Sequence, residues 1–361
     1  MIFKFIDFIN EVKSSKLNFF KNPEVSNLFT SSIEIEMETL DKEGIDEEYT
    51  DEYVSDIISK IRNSVTKELN RISNFEMTDD ISEFIDDILY EIESEYYDYD
   101  YIDKILNERK YGVKNYRKLI VQIIRPQVLT YFFSDNYEYL EGKFRENLPN
   151  FYQKYKDIIK FELDNTLDRG IEISNKKYFN DINNLIEMIE DFYNDFNNQN
   201  YWILNDKTGI HINIGPKDKS NFNIIKGLLF LSDMGDDPFI FKNMEWRKNS
   251  KFCGSLLSSL VTDKSTISKC DGLEINQIEE ILNKRLNELI TEIGYKNFGV
   301  NIVPIKKFNY IEYRYPGGTI DKDTLINKVL YFTYVTYQMC HSDFERKEYI
   351  KKLYKFIDKY K

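Results

Sequence analysis

The chain has no alanine, two histidines, three cysteines and 14 glycines in 361 residues, and no apolar run long enough to span a bilayer. Each shortage excludes something. Cys253, Cys270 and Cys340 show no CxxC spacing, so neither a disulfide framework nor a zinc site is expected; they read as reduced thiols in a cytoplasmic protein. With so few histidines and no GxSxG elbow, a Ser or Cys triad has little to work with. No GxxxxGK[ST] or GxGxxG follows a strand pattern, which leaves P-loop and Rossmann nucleotide sites unsupported. The apolar start, MIFKFIDFINEV, is broken by Asp7 and Glu11, so it reads as a short amphipathic helix packed on the body, not a signal peptide. Acidic residues outnumber basic ones, 62 to 49: the net charge of −13 argues against broad contact with nucleic acid or an anionic membrane, and neither is an expected partner. The missing alanine, with abundant Lys, Asn, Ile, Tyr, Phe and Asp, is the bias of an AT-rich genome, as in a phage or an AT-rich bacterium.

What is present is alternation. Four short segments switch between apolar and polar residues: IEIEME (33–38), GIEIS (170–174), GIHINIG (209–215) and YIEYRY (310–315). Successive side chains of a strand point to opposite faces. Glu34, Glu36 and Glu38 therefore share a face, opposite Ile33, Ile35 and Met37. Glu172 stands alone against Ile171 and Ile173, His211 and Asn213 against three isoleucines, and Glu312 with Arg314 against Ile311 and Tyr313. Paired into one sheet, these strands give an oily back and a front of carboxylates with a histidine and an arginine. Crowded carboxylates repel one another and resist desolvation, so such a front calls for cations. Seven of the few glycines (Gly170, Gly209, Gly215, Gly254, Gly299, Gly317, Gly318) lie in or beside the candidate site segments, where backbone turns or approaches closely.

Helical periodicity dominates 41–160, with candidate helices over 47–72, 81–97, 115–124 and 136–160. The expected organisation is a catalytic domain made of 1–40 and 161–361, interrupted by a mostly helical insertion over 41–160. An acidic, tyrosine-rich run over 91–103 reads as a solvated helix face before a partner surface. Further helices are expected over 179–196, 221–232, 275–293, 325–339 and 343–360, and a strand over 298–304 (FGVNIVP). Helices mixed with antiparallel-looking strands, without regular βαβ alternation, give an α+β fold class: an antiparallel sheet with a polar face, helices on its back, and a helical insertion.

Several glutamates and a histidine on one face suit Mg2+ or Mn2+, which take oxygen ligands and accept an imidazole. Arg314, two residues from Glu312, is placed to neutralise a phosphoryl group, and Arg247 in EWRKNSKFCG is a second candidate. Taken singly, each segment also fits an exposed amphipathic strand, His211 a hydrogen-bonded structural residue, and YPGG an ordinary turn.

The order of the segments is more specific. SSIEIE with Glu34 and Glu36, DNTLDRGIEIS with Asp164, Gly170, Glu172 and Ser174, and TGIHINIG with His211 come first. Arg247 with Asn249 and Phe252–Cys253, NFGVNI with Asn301, and Glu312–Arg314 with Gly318 and Thr319 follow. Together they resemble the amidoligase family, whose fold is that of glutamine synthetase and glutamate–cysteine ligase. The likeness covers roughly 30–40 and 160–330. Ser32 stands where the family has glycine, Asn165 replaces the glycine of its DGS, and Asn213 replaces a second histidine.

The resemblance implies a glutamine synthetase-like sheet and ATP-dependent joining of a carboxylate to an amine, small molecules or peptides, through an acyl phosphate. It implies metal ligands at Glu34, Glu36, Glu172, His211 and Glu312. ATP contacts fall on Arg314, Arg247, Asn213 and Asn301, and catalytic roles on Arg314, Arg247 and Glu172. The insertion or the loop over 233–255 is expected to cover the site. Two alternatives stay open on the sequence: a guanidino-kinase-like phosphotransferase, and a catalytically degenerate binding or structural module of the same fold.

Overall fold

The computed structural model describes residues 17–39, 58–67, 79–94, 124, 134–163, 167, 170–231, 253–261, 264–293, 298–318 and 320–361. The expected N-terminal helix, most of the 91–103 run and of the 115–124 helix, Asp164, Asn165, Arg247, Asn249, Phe252 and Thr319 lie outside these residues.

The chain divides into two compact units, Met1–Leu40 with Lys143–Lys361, and Asp41–Gly142. In the second unit, helix spans 58–67 and Asp79–Ser94. Ile58, Ile61 and Val65 recur at helical spacing and are buried, as are Ile85, Ile88 and Leu89. Arg62 reaches Asp86 at 3.1 Å between the two helices.

Among the described residues the first unit has seven strands: β1 (Phe29–Thr39), β2 (Ile159–Leu163), β3 (Gly170–Asn175), β4 (Trp202–Ile203), β5 (Ile210–Pro216), β6 (Val300–Asn301) and β7 (Ile311–Tyr313). They lie in the order β2-β3-β1-β5-β7-β6, with β4 paired to the far end of β1, and every pairing is antiparallel. The longest strand is therefore central, and the segments from distant parts of the chain flank it.

The apolar side of the sheet is its packed side. Ile33, Ile35, Met37, Ile210, Ile212 and Ile214 are all at most 1% exposed, each such side chain contributing roughly 1.5–3 kcal/mol of burial. Two helices cover this side. α1 (Ile182–Phe196) buries Ile182, Leu185, Ile186, Ile189 and Phe192, a stripe at i, i+3, i+4 and i+7. Its N-cap Asp181 accepts a bond from the Asn183 N–H at 2.6 Å. α2 (Lys322–Cys340) is buried nearly all round, so it carries few charges, and its hydroxyls find partners inside: Thr333 and Thr336 donate to the Val329 and Phe332 carbonyls. Phe332 stacks on Tyr313 of β7 with ring centroids 4.4 Å apart, and the Tyr313 hydroxyl lies 2.8 Å from Thr336 Oγ1. Further helices, Ile224–Leu231, Ile275–Ile293 and Arg346–Tyr360, pack behind α2. No helix among the described residues is long and apolar enough to cross a membrane.

Three expectations need correction. The helix expected over 136–160 is two helices, Ser134–Asn147 and Pro149–Tyr155, followed by β2. Pro149 lacks the N–H that an unbroken helix needs and starts a new one instead. Ile159, Phe161 and Leu163 alternate with Lys160 and Glu162, a strand pattern read as a helix end. The boundary between units falls at 142/143, so 143–160 belongs with the sheet. The strand expected over 298–304 is only Val300–Asn301, because Pro304 opens a helical turn, Pro304–Lys307. β4 was not anticipated; two residues carry no readable period.

Candidate functional site

The register turns the alternation into a site. Across the sheet, Ser174, Glu34 and His211 are aligned on β3, β1 and β5. One step along, Ser32, Asn213, Glu312 and Asn301 are aligned on β1, β5, β7 and β6. In the other direction Glu36 faces Glu172, which in turn faces Glu162. All of these stand on the face opposite the packed isoleucines.

His211 is the hub. Its Nδ1 lies 3.1 Å from Glu34 Oε2 and 3.6 Å from Glu312 Oε1, and its Nε2 lies 3.7 Å from Glu36 Oε1. The side chains of His211, Glu312 and Glu36 are at most 10% exposed, whereas Glu34 is 25% exposed and forms the open side. One donor atom each from Glu34, His211 and Glu312 falls within 4.8 Å of the others. Ligands at ~2.1 Å from an octahedral cation stand ~3–4.2 Å apart, so a small contraction of this trio would seat a hard divalent ion. The donor set fits the cation that the crowded carboxylates called for.

The surrounding bonds hold these groups in place. Arg314 NH1 donates to Glu312 Oε1 at 2.5 Å, and Asn301 Nδ2 to Glu312 Oε2 at 2.7 Å. The Arg314 backbone is pinned at both ends, its N–H donating to the Gly299 carbonyl at 2.8 Å and its carbonyl accepting from the Cys253 thiol at 3.3 Å. Glu36 Oε2 accepts from the Gly209 N–H. Close approach also explains two glycines of the motifs. A Cβ on Gly170 would collide with the Met37 carbonyl and Leu167, and one on Gly215 with the Asn309 carbonyl and Thr30.

Charge follows geometry. Burial alone would raise the Glu34 carboxyl, but the hydrogen bond and charge of His211, with Asn213 and Arg314, outweigh it and hold its pKa below the ordinary value. Burial likewise pulls the His211 imidazolium down; the bond to Glu34 and the charges of Glu34 and Glu36 prevail over it and over Arg314, so its pKa is raised. Arg314 and the His211 imidazole are the groups that face these carboxylates.

Most of the expected site residues meet here: Glu34, Glu36, His211, Asn213, Asn301, Glu312 and Arg314. Glu172 adjoins Glu36 on β3 but stands outside the tight trio. Arg247 lies outside the described residues. Glu38, on the same face, is taken up by Asn205 Nδ2 at 2.5 Å.

Sequence reasoning missed three contributors. Ser32 Oγ accepts from Asn213 Nδ2 at 3.2 Å. The Tyr178 hydroxyl has its pKa pushed up by burial and then by Tyr310. The Tyr178 and Tyr310 rings are 5.3 Å apart, and Phe308 stacks on Tyr310 at 6.2 Å. Tyr310 carried a signal, since it precedes Glu312 by two residues and so shares its face. Tyr178 carried none, because it lies beyond the end of β3.

A family model described as "Putative amidoligase enzyme" matches residues 32–332 of the chain. No curated protein and no solved structure matches it.

Proposed function

The chain belongs to the amidoligase family, and on that premise we propose that it is an ATP-dependent carboxylate–amine ligase working through an acyl phosphate, on a glutamine synthetase-like sheet. The observation that carries this reading is the close trio of Glu34, His211 and Glu312, open on the Glu34 side, with Arg314 locked onto Glu312 beside it.

Glu34, His211 and Glu312 are the residues that would hold a divalent cation, with Glu36 and Glu172 adjoining. Mg2+ or Mn2+ there supplies neutralisation of the phosphate oxygens of ATP. Arg314 presents a fork that suits a phosphoryl group, and the family pattern adds Arg247. In the first half-reaction, a substrate carboxylate oxygen attacks the γ-phosphorus, its bond to the β-bridging oxygen breaks, and ADP leaves. An amine nitrogen then attacks the acyl carbon, the carbon–oxygen bond to phosphate breaks, and the amide forms with loss of the nitrogen's proton. Arg314 offsets charge in both halves, because phosphate is transferred in one and expelled in the other. Water has to be kept from the acyl phosphate; the neighbouring rings of Tyr178, Tyr310 and Phe308 would wall one side of the polar face. The chemistry resides in the unit that carries the sheet, and 41–142 is an insertion. ATP as cosubstrate fits a cytoplasmic enzyme with small-molecule or peptide carboxylates and amines as substrates.

Hydroxylamine tests this without knowledge of the amine. Incubated with ATP, Mg2+ and a panel of amino acids and dicarboxylates, the protein should convert at least one into a hydroxamate, with one ADP released per product. ADP release with a stable phosphorylated product and no hydroxamate would replace the ligase by the phosphotransferase. Absence of any nucleotide-dependent change in melting temperature would leave a non-catalytic module.

A further inference from the structure

Asn213 has a buried polar atom that no group among the described residues satisfies. It sits on β5 two residues from His211, faces Ser32 across β1 and Glu312 across β7, and is 2% exposed. Both hydrogens of its amide nitrogen are committed: Nδ2 donates to Ser32 Oγ at 3.2 Å and to Glu34 Oε1 at 3.0 Å. Turning the amide over would set its oxygen against the Glu34 carboxylate, acceptor against acceptor, so the orientation is fixed. The other end, Oδ1, is buried without a hydrogen-bond partner among the described residues. Its neighbour across β7, Glu312, has only acceptor oxygens and gives them to Arg314 and Asn301. A buried amide oxygen among carboxylates is satisfied by a cation or by a donor that arrives with a ligand.

Resting on the ligase reading, we infer that Asn213 Oδ1 is a neutral oxygen ligand of the cation held by Glu34, His211 and Glu312, and that the Ser32–Asn213 pair gives the site its preference for a hard ion. With Asn213 the donors are one imidazole nitrogen and three side-chain oxygens, a set that suits Mg2+. An imidazole at the same place would make two nitrogens and draw the preference toward Zn2+. Ser32 is part of the device. It occupies the space beside the short Asn213 side chain and receives one of its two N–H bonds, which leaves Oδ1 as the end turned away from β1. A larger ring at 213 needs that space vacated.

Titration calorimetry with MgCl2 and with ZnCl2, on wild type, Asn213→Ala, Asn213→Asp and the double variant Ser32→Gly/Asn213→His, tests the inference without any turnover. Asn213→Ala should weaken Mg2+ binding tenfold or more. Asn213→Asp keeps an oxygen there but loses the bond to Glu34, and should bind Mg2+ within threefold of wild type or tighter. The double variant should raise the ratio of Zn2+ to Mg2+ affinity at least tenfold. Equal losses in Asn213→Asp and Asn213→Ala would overturn the ligand role and leave Asn213 as a positioning residue for Glu34. Unchanged Mg2+ binding in Asn213→Ala, with binding lost in Glu312→Gln, would sink this inference alone. A wild type that binds neither ion would remove the cation site and, with it, this inference. Should Asn213→Ala fail to fold, the near-isosteric Asn213→Asp and the double variant still decide the matter.

Discussion

Replacing Glu312 by glutamine changes one charge and almost no volume, which makes its consequences calculable. In the metal-free protein the carboxylate accepts from Arg314 at 2.5 Å and from Asn301 at 2.7 Å, with His211 Nδ1 3.6 Å away. A carboxamide keeps one acceptor oxygen and points an NH2 at the remaining donors, a mismatch that costs about 1–3 kcal/mol. At roughly 2 °C per kcal/mol for a domain of this size, the metal-free melting temperature falls by about 2–6 °C. Ligand binding is affected far more in proportion. Mg2+ and a non-hydrolysable ATP analogue at a hundred times their Kd add about 2.7 kcal/mol, or about 5 °C. If loss of the charged donor weakens binding about a hundredfold, the same ligand stands at its Kd and adds only about 0.4 kcal/mol, under about 1 °C. The signature in differential scanning fluorimetry is therefore a modestly lower baseline with an almost flat response to ligand. A Glu312→Gln protein that keeps the whole ligand-induced shift takes Glu312 out of the cation site and refutes the reasoning.

Arg314→Lys puts a point charge where a planar fork stood, so turnover should fall by about tenfold or more while the nucleotide-induced melting shift changes by less than about 2 °C; parallel losses in both would contradict this. Gly299→Ala drives a Cβ into the Tyr315 ring, which is 1% exposed, and this overpacking should cost about 1–3 kcal/mol and lower the melting temperature by about 2–6 °C; an unchanged melt would mean the ring moves freely. The pH dependence of metal-free stability has a definite sign on each side. His211 binds its proton more tightly folded than unfolded, so its contribution is complete below about pH 6.5, its unfolded value, and is lost as pH rises through the folded pKa. Glu34 is the reverse, contributing above about pH 4.5 and losing it as pH falls through its depressed folded pKa. Melts between pH 3 and 9 should thus show greatest stability between those two values, and His211→Gln should remove the decline on the alkaline side; a wild-type profile unchanged by that substitution would detach His211 from the effect.

The fold was legible where its rule is local. The helix over Ile275–Ile293 was expected with those bounds, and α1, α2 and the last helix within a few residues, because a buried stripe and an N-cap such as Asp181 or Asp321 are written within a few positions of each other. Strands of two or three residues are different. Val300–Asn301 and Ile311–Tyr313 exist because they hydrogen-bond to neighbours already in the sheet, and nothing in so short a stretch fixes a period. β2 had its alternation in full view, yet a preceding helical run of favourable residues hid it. A pattern of period 2 and the tail of a pattern of period 3.6 differ little over five residues.

For the site, alternation said which side chains share a face, but not which of them touch. Contact is a matter of register, and register is set between segments far apart in the chain. Thus Glu36 and Glu172, both expected as ligands beside Glu34, face each other across β1 and β3 while the tight trio forms on the other flank of β1 with β5 and β7. The same consideration changes how the departures at Ser32 and Asn213 are understood. Along the chain they are two separate departures from the motif pattern the chain resembles, 181 residues apart. Across the sheet they are one pair, aligned on β1 and β5 and joined at 3.2 Å. Ser32 accepts a bond from the Asn213 amide that a histidine ring would not place there. Two degenerating positions would have no reason to fit each other; a Ser–Asn pair that also orients Glu34 does. The substitutions therefore weigh toward a retuned site and against a discarded one.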